Sequence, residues 1–494
     1  MRRQGEVGIY LGVPTSFAAK AQWIWTTLLA ALGRRPRFVL APAAAEGCTL
    51  AYARQPVDGV RTVPCSEVAL DLIAHNRPLP PGTFVPQRVS DGQFVAAFPA
   101  RQEGFALPFD LIAASFFLLA AWDEHTAQAR DRFGRLPYAE STFARQVALG
   151  ERALTEPPVD RYVESLAGLM ADHEGEARLT PPTDAQWAAG ARFAVALTHD
   201  VDEVQRWTAR GVRGAVKRVA RAARAGDLAT AQREARAVAR AFVHDLPRGY
   251  DPSWTFPDLL AREDRRGLTS TFFLLASHSA PVDGSQPEIY RARLPQLITL
   301  LRSHGREIAL HGNQRDRDDA RQLSADRATL SALAGSTVLG MRYHYLRCSY
   351  HDTLPLLDHQ GFVYDSSLAF SEHEGYRCGF SHPFHPYDLS ADRPLGLVEL
   401  PLAVMDSTLQ ERQYRSLPAL AAQRAASTAL EPLTRSGGAA AILWHHNRFD
   451  PYFGRGYDQV YWDLVDWIHQ HGGVATSALE IVQRWKQRLG ETLE

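Results

Sequence analysis

The sequence predicts an α/β protein: a C-terminal (β/α)7-8 barrel preceded by a smaller α/β domain. Three observations carry this. From residue 192 onward, strand-like apolar runs and helix-like segments alternate about seven times, which argues for a parallel sheet, and so many repeats favour a barrel. Polar residues collect where those runs end, the side of such barrels that carries chemistry. The 494 residues exceed one typical domain, and Pro181-Pro182-Thr183 with Ala188-Ala189-Gly190 reads as a linker between a unit at 1–185 and one at 192–490.

Composition narrows the class. A 45% hydrophobic and 22% charged content is that of an ordinary globular protein with sizeable cores. A formal net charge of −1 gives no global case for nucleic acid or an anionic membrane. Cys48, Cys65, Cys348 and Cys378 show no C-x-x-C spacing and read as free thiols of a reducing compartment. Arg2, Arg3 and Ala19-Lys20-Ala21 imitate a signal peptide, but Glu6, Gly5, Gly8, Gly12 and Pro14 break its apolar core. The apolar run from Leu111 to Trp122 is too short to span a bilayer, so a cytoplasmic protein without an integral membrane segment is expected.

In the first unit, Ile9-Tyr10-Leu11, Phe38-Val39-Leu40 and Thr49-Leu50-Ala51-Tyr52 read as strands. Ala18 to Leu32 reads as a helix stopped by Gly33, Phe109 to Trp122 as a buried helix, and Val159 to Met170 as a last one. The polar stretch from Trp122 to Pro137 holds no nucleophile–base pair and reads as a salt-bridged surface connection.

The second unit opens with the strand Phe193-Ala194-Val195-Ala196-Leu197, followed by Thr198-His199-Asp200-Val201-Asp202. Arg206 to Arg248 is rich in Ala and Arg, a basic helical insertion at about 206–250, for which a solvated face is the commoner reading. Strands then follow at 271–275, 307–311, 338–342, 362–365, 397–400 and 440–445. Helices fall at 256–266, 294–304, 324–333, 351–360, 417–433 and 461–471.

Asp200 and Asp202 stand two positions apart on an extended segment and so point to one side. Desolvating two carboxylates there is repaid by a metal ion, or by a proton held for acid/base work; a loop-capping pair is the alternative. His311, Arg342 with His344, Asp365 and His445 stand at the ends of later strands. Two strands ending in His and one ending in Asp-x-Asp are hard to explain as satisfied core groups.

These segments, over roughly residues 192 to 490, resemble the polysaccharide deacetylase superfamily (carbohydrate esterase family 4), a distorted (β/α) barrel with an Asp-His-His metal site. Thr198-His199-Asp200-Val201-Asp202 looks like the first family motif, which implies Asp200 as general base and Asp202 as metal ligand. Leu310-His311-Gly312-Asn313 looks like the second, with His311 a metal ligand. Arg342, in Gly340-Met341-Arg342-Tyr343-His344-Tyr345, matches the arginine that pairs with the base. Tyr364-Asp365-Ser366-Ser367 resembles the acidic fourth motif, and Leu443-Trp444-His445 the last, whose His is the general acid. Asp365 is expected to hold the tautomer of His445. The first unit, with Phe109 to Trp122 and Arg132-Phe133-Gly134-Arg135, looks like an uncharacterised domain that precedes one subgroup of these proteins.

One departure stands out. The second motif normally carries another His four residues on, where this chain has Arg315, and a cation cannot ligate a metal. His344 is the favoured third ligand, with a stacked or hydrogen-bonded loop histidine as its alternative; His382 and His385 form a further candidate pair. His446 should face away from His445 and is read as structural. Trp444, Tyr345 and Trp254 are read as core aromatics before sugar-stacking surfaces. The resemblance implies a divalent cation, Zn2+ first among ions that include iron, cobalt and nickel. It also implies a carbohydrate or acetylated sugar substrate that loses its acetyl group. The competing readings are a small-molecule amidohydrolase on the same barrel and a decayed, glycan-binding module.

Overall fold

A computed structural model of the chain describes residues 5–89, 92–100, 102–174, 187–243, 250–284 and 287–492. Pro181-Pro182-Thr183 and residues 244–248 of the basic stretch lie outside the described residues. Strands β1 (Glu6–Gly12), β2 (Arg35–Val39), β3 (Leu50–Ala53) and β4 (Arg61–Pro64) pair in parallel in the order β2-β1-β3-β4. The helix Thr15–Ala31 makes the return between β1 and β2 that parallel pairing needs, and Gly33, at φ 65°, follows its end as the sequence predicts.

The strand β4 and the antiparallel hairpin of β5 (Phe84–Val89) and β6 (Gly92–Ala97) were not expected. Pro86 inside β5 hides that strand from pattern reading. The helix Leu111–Leu119 buries every residue and is capped by Asp110, whose Oδ1 accepts from the Ala113 amide at 2.8 Å. It ends earlier than the apolar run does, because Ala121 adopts φ 44° and redirects the chain into a short helix at Trp122–Thr126.

The larger sheet is built from β7 (Phe193–Val201), β8 (Thr271–Leu274), β9 (Glu307–Gly312), β10 (Gly340–Tyr343) and β11 (Tyr364–Asp365). A small hairpin, β12 (Tyr387–Asp388) and β13 (Arg393–Pro394), precedes β14 (Val398–Glu399), β15 (Leu402–Met405), β16 (Ala439–Leu443) and β17 (Gly473–Thr476). The order is β14-β11-β10-β9-β8-β7-β16-β15, with β17 also on β7 and all ladders parallel. The two outermost strands, β14 and β15, are consecutive in the chain. Between them the Leu400 amide donates to the Asp365 carbonyl at 2.9 Å, and the Pro401 carbonyl accepts from the Ala441 amide at 2.7 Å. One segment thus leaves β11 and joins β16, bringing the sheet round on itself as a (β/α) barrel.

The barrel is distorted at β7. With β16 on one edge of that strand, β17 pairs with Phe193 to Ala196 and β8 with Thr198 to Val201 on the other edge. All nine residues of β7 are buried, which explains an apolar run without alternation. The basic stretch forms two helices, Ala209–Arg224 and Leu228–Val243, anchored on Tyr452 through Trp207 and Arg218.

One apolar core runs through both parts of the molecule and includes Phe116, Leu118, Leu154, Phe380 and Leu430. Polar anchors accompany it: Trp23 Nε1 donates to the His385 carbonyl at 2.8 Å, buried Arg377 pairs with Glu124, and the Ser381 amide donates to Asp160 at 3.0 Å. All four cysteines are buried and none is in a disulfide. Among the described residues no helix is long and apolar enough to cross a membrane.

Candidate metal centre

The end of β7 sets the site. Strand alternation turns His199 outward, where Nδ1 reaches the Trp444 carbonyl at 2.7 Å and Nε2 faces Glu263 at 3.3 Å. Asp200 and Asp202 point the other way, into the mouth of the barrel. Arg342, fully buried on β10, fixes Asp200: Nη1 donates to Asp200 Oδ1 at 3.0 Å and to Thr198 Oγ1 at 2.7 Å. Its Nε donates to the Ser366 carbonyl at 2.8 Å, Nη2 to Ser366 Oγ at 3.0 Å, and the guanidinium lies 4.3 Å from the Phe273 ring centroid. A buried guanidinium with four such partners has one orientation, so Asp200 Oδ1 is committed and Oδ2 is left toward the cavity, 3.7 Å from His311 Nε2.

Asp202, His311 and His344 offer ligand atoms that all lie within 4.8 Å of one another. Asp202 Oδ1 is 3.3 Å from His311 Nε2 and 3.5 Å from His344 Nε2. The Asp202 side chain is 32% exposed, yet Oδ1 is buried; among the described residues neither it nor His311 Nε2 has a hydrogen-bond partner of good geometry. His311 Nδ1 lies 2.9 Å from the Arg342 carbonyl, which makes it the N–H and leaves a lone pair on Nε2. His344 Nδ1 faces Asp283 Oδ1 at 3.9 Å. Two imidazole nitrogens and a carboxylate oxygen around one point, with Asp202 Oδ1 and His311 Nε2 buried and without a good hydrogen bond, suit a divalent cation with open positions for other ligands. Burial opposes ionisation of Asp202, but His344, His311 and His445 around it hold its carboxyl well below the usual range.

Across the mouth, His445 Nε2 lies 3.5 Å from Asp202 Oδ2. Its Nδ1 is 2.6 Å from Asp406 Oδ1, and Asp406 Oδ2 accepts from the His445 amide at 2.9 Å. Burial pulls the His445 pKa down, but the charge and hydrogen bond of Asp406 outweigh it, with Asp202 and Asp200 adding, and raise it to about 9. Burial likewise opposes the Asp406 charge, while His445 and Arg448 bring that carboxyl down to about 2.

Asp365 therefore does not have the place expected for it. Its oxygens accept from Ser367 Oγ at 2.8 Å and the Ser367 amide at 2.7 Å, and its neighbouring carboxyl is Glu399 on β14. Burial pushes Asp365 up to about 6, and burial together with the Asp365 charge pushes Glu399 well above the carboxylate range. The partner of His445 is Asp406, just past β15. That strand has no helix before it, so strand–helix alternation does not announce it.

The other histidines separate cleanly. His382 is buried against Phe380 and Trp485, and His385 reaches the Leu397 carbonyl at 3.0 Å and Glu491 at 3.2 Å, so this pair is elsewhere. His446 stacks on Phe256 and reaches the Asp200, Glu203 and Ser253 carbonyls, a structural role. Arg315 is exposed. Trp444 is fully buried and Trp254 partly so beneath Arg293, both within the core, whereas Tyr345 is 42% exposed at the site mouth. A cavity of about 330 Å³ opens on Asp200, Asp202, His344 and His445, walled by Arg135, Tyr345 and Glu411 among others. A smaller one of about 150 Å³ adjoins it past Asp283 and His278.

Residues 33–174 match the model of a family of unknown function, DUF7033. No curated protein matches the chain. Among solved structures, the chain is similar to a "probable polysaccharide deacetylase" from Pseudomonas aeruginosa PAO1, at 15% identity and a TM-score of 0.40, covering 62% of this chain and 95% of that one. It is similar to a family 4 carbohydrate esterase from Streptomyces lividans solved with acetate, at 14% identity and a TM-score of 0.27 over 58% and 92% of the two chains. A family 4 pseudoenzyme from Bacillus anthracis is also similar, at 10% identity and a TM-score of 0.31 over 59% and 66%. Likeness this distant assigns no residue role.

Proposed function

We propose that the chain is a metal-dependent hydrolase that removes an N- or O-linked acetyl group from a carbohydrate. The observation that carries this is the convergence of Asp202, His311 and His344 on one point, flanked by Asp200 on one side and His445 on the other. Asp202, His311 and His344 would hold a divalent cation, Zn2+ for preference, which would supply a water of lowered pKa and positive charge to the site. Asp200 Oδ2, left free by the bond of Oδ1 to Arg342, accepts the proton of the attacking water. His445, protonated near neutrality and held through Nδ1 by Asp406, gives the Nε2 proton to the departing amine or alcohol.

The size of the cavity favours a second substrate class on the same machinery. About 330 Å³ with walls from both parts of the chain fits a small amide or one sugar residue better than the middle of a polymer. Paired assays of acetate release from acetylated oligosaccharides and monosaccharides separate the two.

The experiment is metal analysis with turnover. The purified protein should hold one transition metal per chain; Asp202→Ala and His311→Ala should lose it. Asp200→Asn should keep the metal and lose turnover. A protein that takes up no stoichiometric metal would leave the decayed, glycan-binding reading in its place.

A further inference from the structure

His311 and His344 are held differently. The His311 ring is locked by a hydrogen bond from Nδ1 to the Arg342 carbonyl at 2.9 Å. His344 Nδ1 is 3.9 Å from Asp283 Oδ1, beyond a hydrogen bond, and has no other partner among the described residues. What does press on the His344 ring is Tyr345, stacked on it at a centroid distance of 4.1 Å and an interplanar angle of 25°.

Tyr345 is itself in an unfavourable state. Its backbone is left-handed (φ 59°, ψ 19°), and so is that of Leu346 (φ 54°). Two successive residues with Cβ atoms in that region cost roughly 1–3 kcal/mol each and persist only when their surroundings dictate it. The surroundings come from the first part of the chain. Arg135 Nη1 donates to the Tyr345 carbonyl at 2.7 Å, and the Phe133 ring lies parallel on the Tyr345 ring at 4.6 Å and 10°.

The segment that does this is rigidly tied. Arg135 is buried, and Asp131 takes both its Nε at 2.8 Å and its Nη2 at 2.6 Å. The Phe133 carbonyl accepts from Arg347 Nε at 3.2 Å and from Arg317 Nη1 at 3.3 Å, and a Cβ on Gly134 (φ 77°) would stand 2.0 Å from that same Nη1. Arg135 thus carries its own counter-ion in Asp131 and turns Nη1 to the Tyr345 carbonyl.

We propose that the segment 131–135 of the N-terminal part completes the metal centre: Phe133 and Arg135 are positioning residues that orient Tyr345 and, through its stacked ring, the third ligand His344. The metal site is then composite, with its ligands on the barrel and the support of one ligand on the preceding unit. This rests on the reading of Asp202, His311 and His344 as ligands.

The test uses the full chain and Co2+ as the probe, read by its visible absorption and by chelator competition, with thermal melting of the metal-free protein alongside. Phe133→Ala and Arg135→Ala should each weaken Co2+ binding by roughly 10-fold or more, the scale of losing an outer support of a ligand, with an altered spectrum. Phe133→Tyr, which keeps the stack, should bind as the native chain does. In a His344→Ala background, Phe133→Ala should weaken binding no further. If Phe133→Ala does not fold, Phe133→Leu replaces it, keeping the bulk and losing the aromatic face. Native affinity and spectrum in Phe133→Leu, or an equal loss with and without His344, overturns the proposal while the metal reading stands. No Co2+ uptake by the native chain, or uptake unchanged in His344→Ala, overturns the ligand reading on which it rests.

Discussion

His445 Nδ1 stands 2.6 Å from Asp406 Oδ1, and the other oxygen of that carboxylate accepts from the amide of His445 itself. The two contacts fix both the ring and the backbone of the histidine, and leave Nε2 as the atom that faces the cavity. A histidine held this way keeps its proton on Nδ1 and presents a second one on Nε2 when charged, which is what a general acid needs.

Asp406→Asn should therefore reduce turnover by roughly 100-fold or more, since correct protonation of an acid is commonly worth that much. Metal content should stay at the native level, because Asp406 touches none of Asp202, His311 or His344. Asp365→Asn, in contrast, should leave the protonation of His445 alone. Steady-state kinetics beside metal analysis on both variants checks the pair, and a larger loss of kcat in Asp365→Asn would return the role to Asp365.

The reason Asp406 escaped sequence reasoning is physical. Asp200, Asp202, His311 and His445 each close an apolar run, and a helical stretch precedes the runs of the two histidines, so pattern and position mark them. Asp406 closes β15, which follows β14 after only Leu400-Pro401, and Leu397 to Leu400 already looks like the strand of that repeat. Asp283 sits in a 3-10 turn with no periodicity at all, and its Oδ1 is fixed by the Gln314 amide at 2.8 Å. The Phe133–Tyr345 stack joins segments far apart in the chain, and an aromatic beside two arginines reads as surface until the partner ring is seen. In the first part, β5 was hidden by Pro86, whereas the helix after β1 was plain from its apolar residues and Gly33.

Arg342 tests the stability side of the site. It is fully buried, and Asp200, Thr198 and Ser366 all direct acceptors at it. Arg342→Met keeps much of the volume but leaves the Asp200 carboxylate buried without its cation, a change that costs about 3–5 kcal/mol when a buried pair is broken. Denaturant unfolding of the variant should show that loss. The double variant Arg342→Met with Asp200→Asn should recover part of it, because the uncompensated charge is gone. A double variant no more stable than the single one would mean that the loss comes from the Thr198 and Ser366 bonds.

The acid limb of stability should report on His382. This ring is buried between Phe380 and Trp485, and burial, helped by the nearby charge of Arg488, lowers its pKa to about 3. The unfolded chain takes up that proton near pH 6.5 and the folded chain does not, so the unfolded state binds more protons below that pH. The native state is thus fully favoured above about pH 6.5 and loses stability as pH falls toward 3, by up to about 1.4 kcal/mol for each pH unit. At pH 5 the deficit is about 2 kcal/mol. His382→Leu removes the titrating group, so its unfolding free energy between pH 7 and pH 5 should fall less steeply than that of the native protein by this amount, whatever its level at pH 7. Parallel pH profiles for the two proteins would show instead that His382 takes up its proton within the fold.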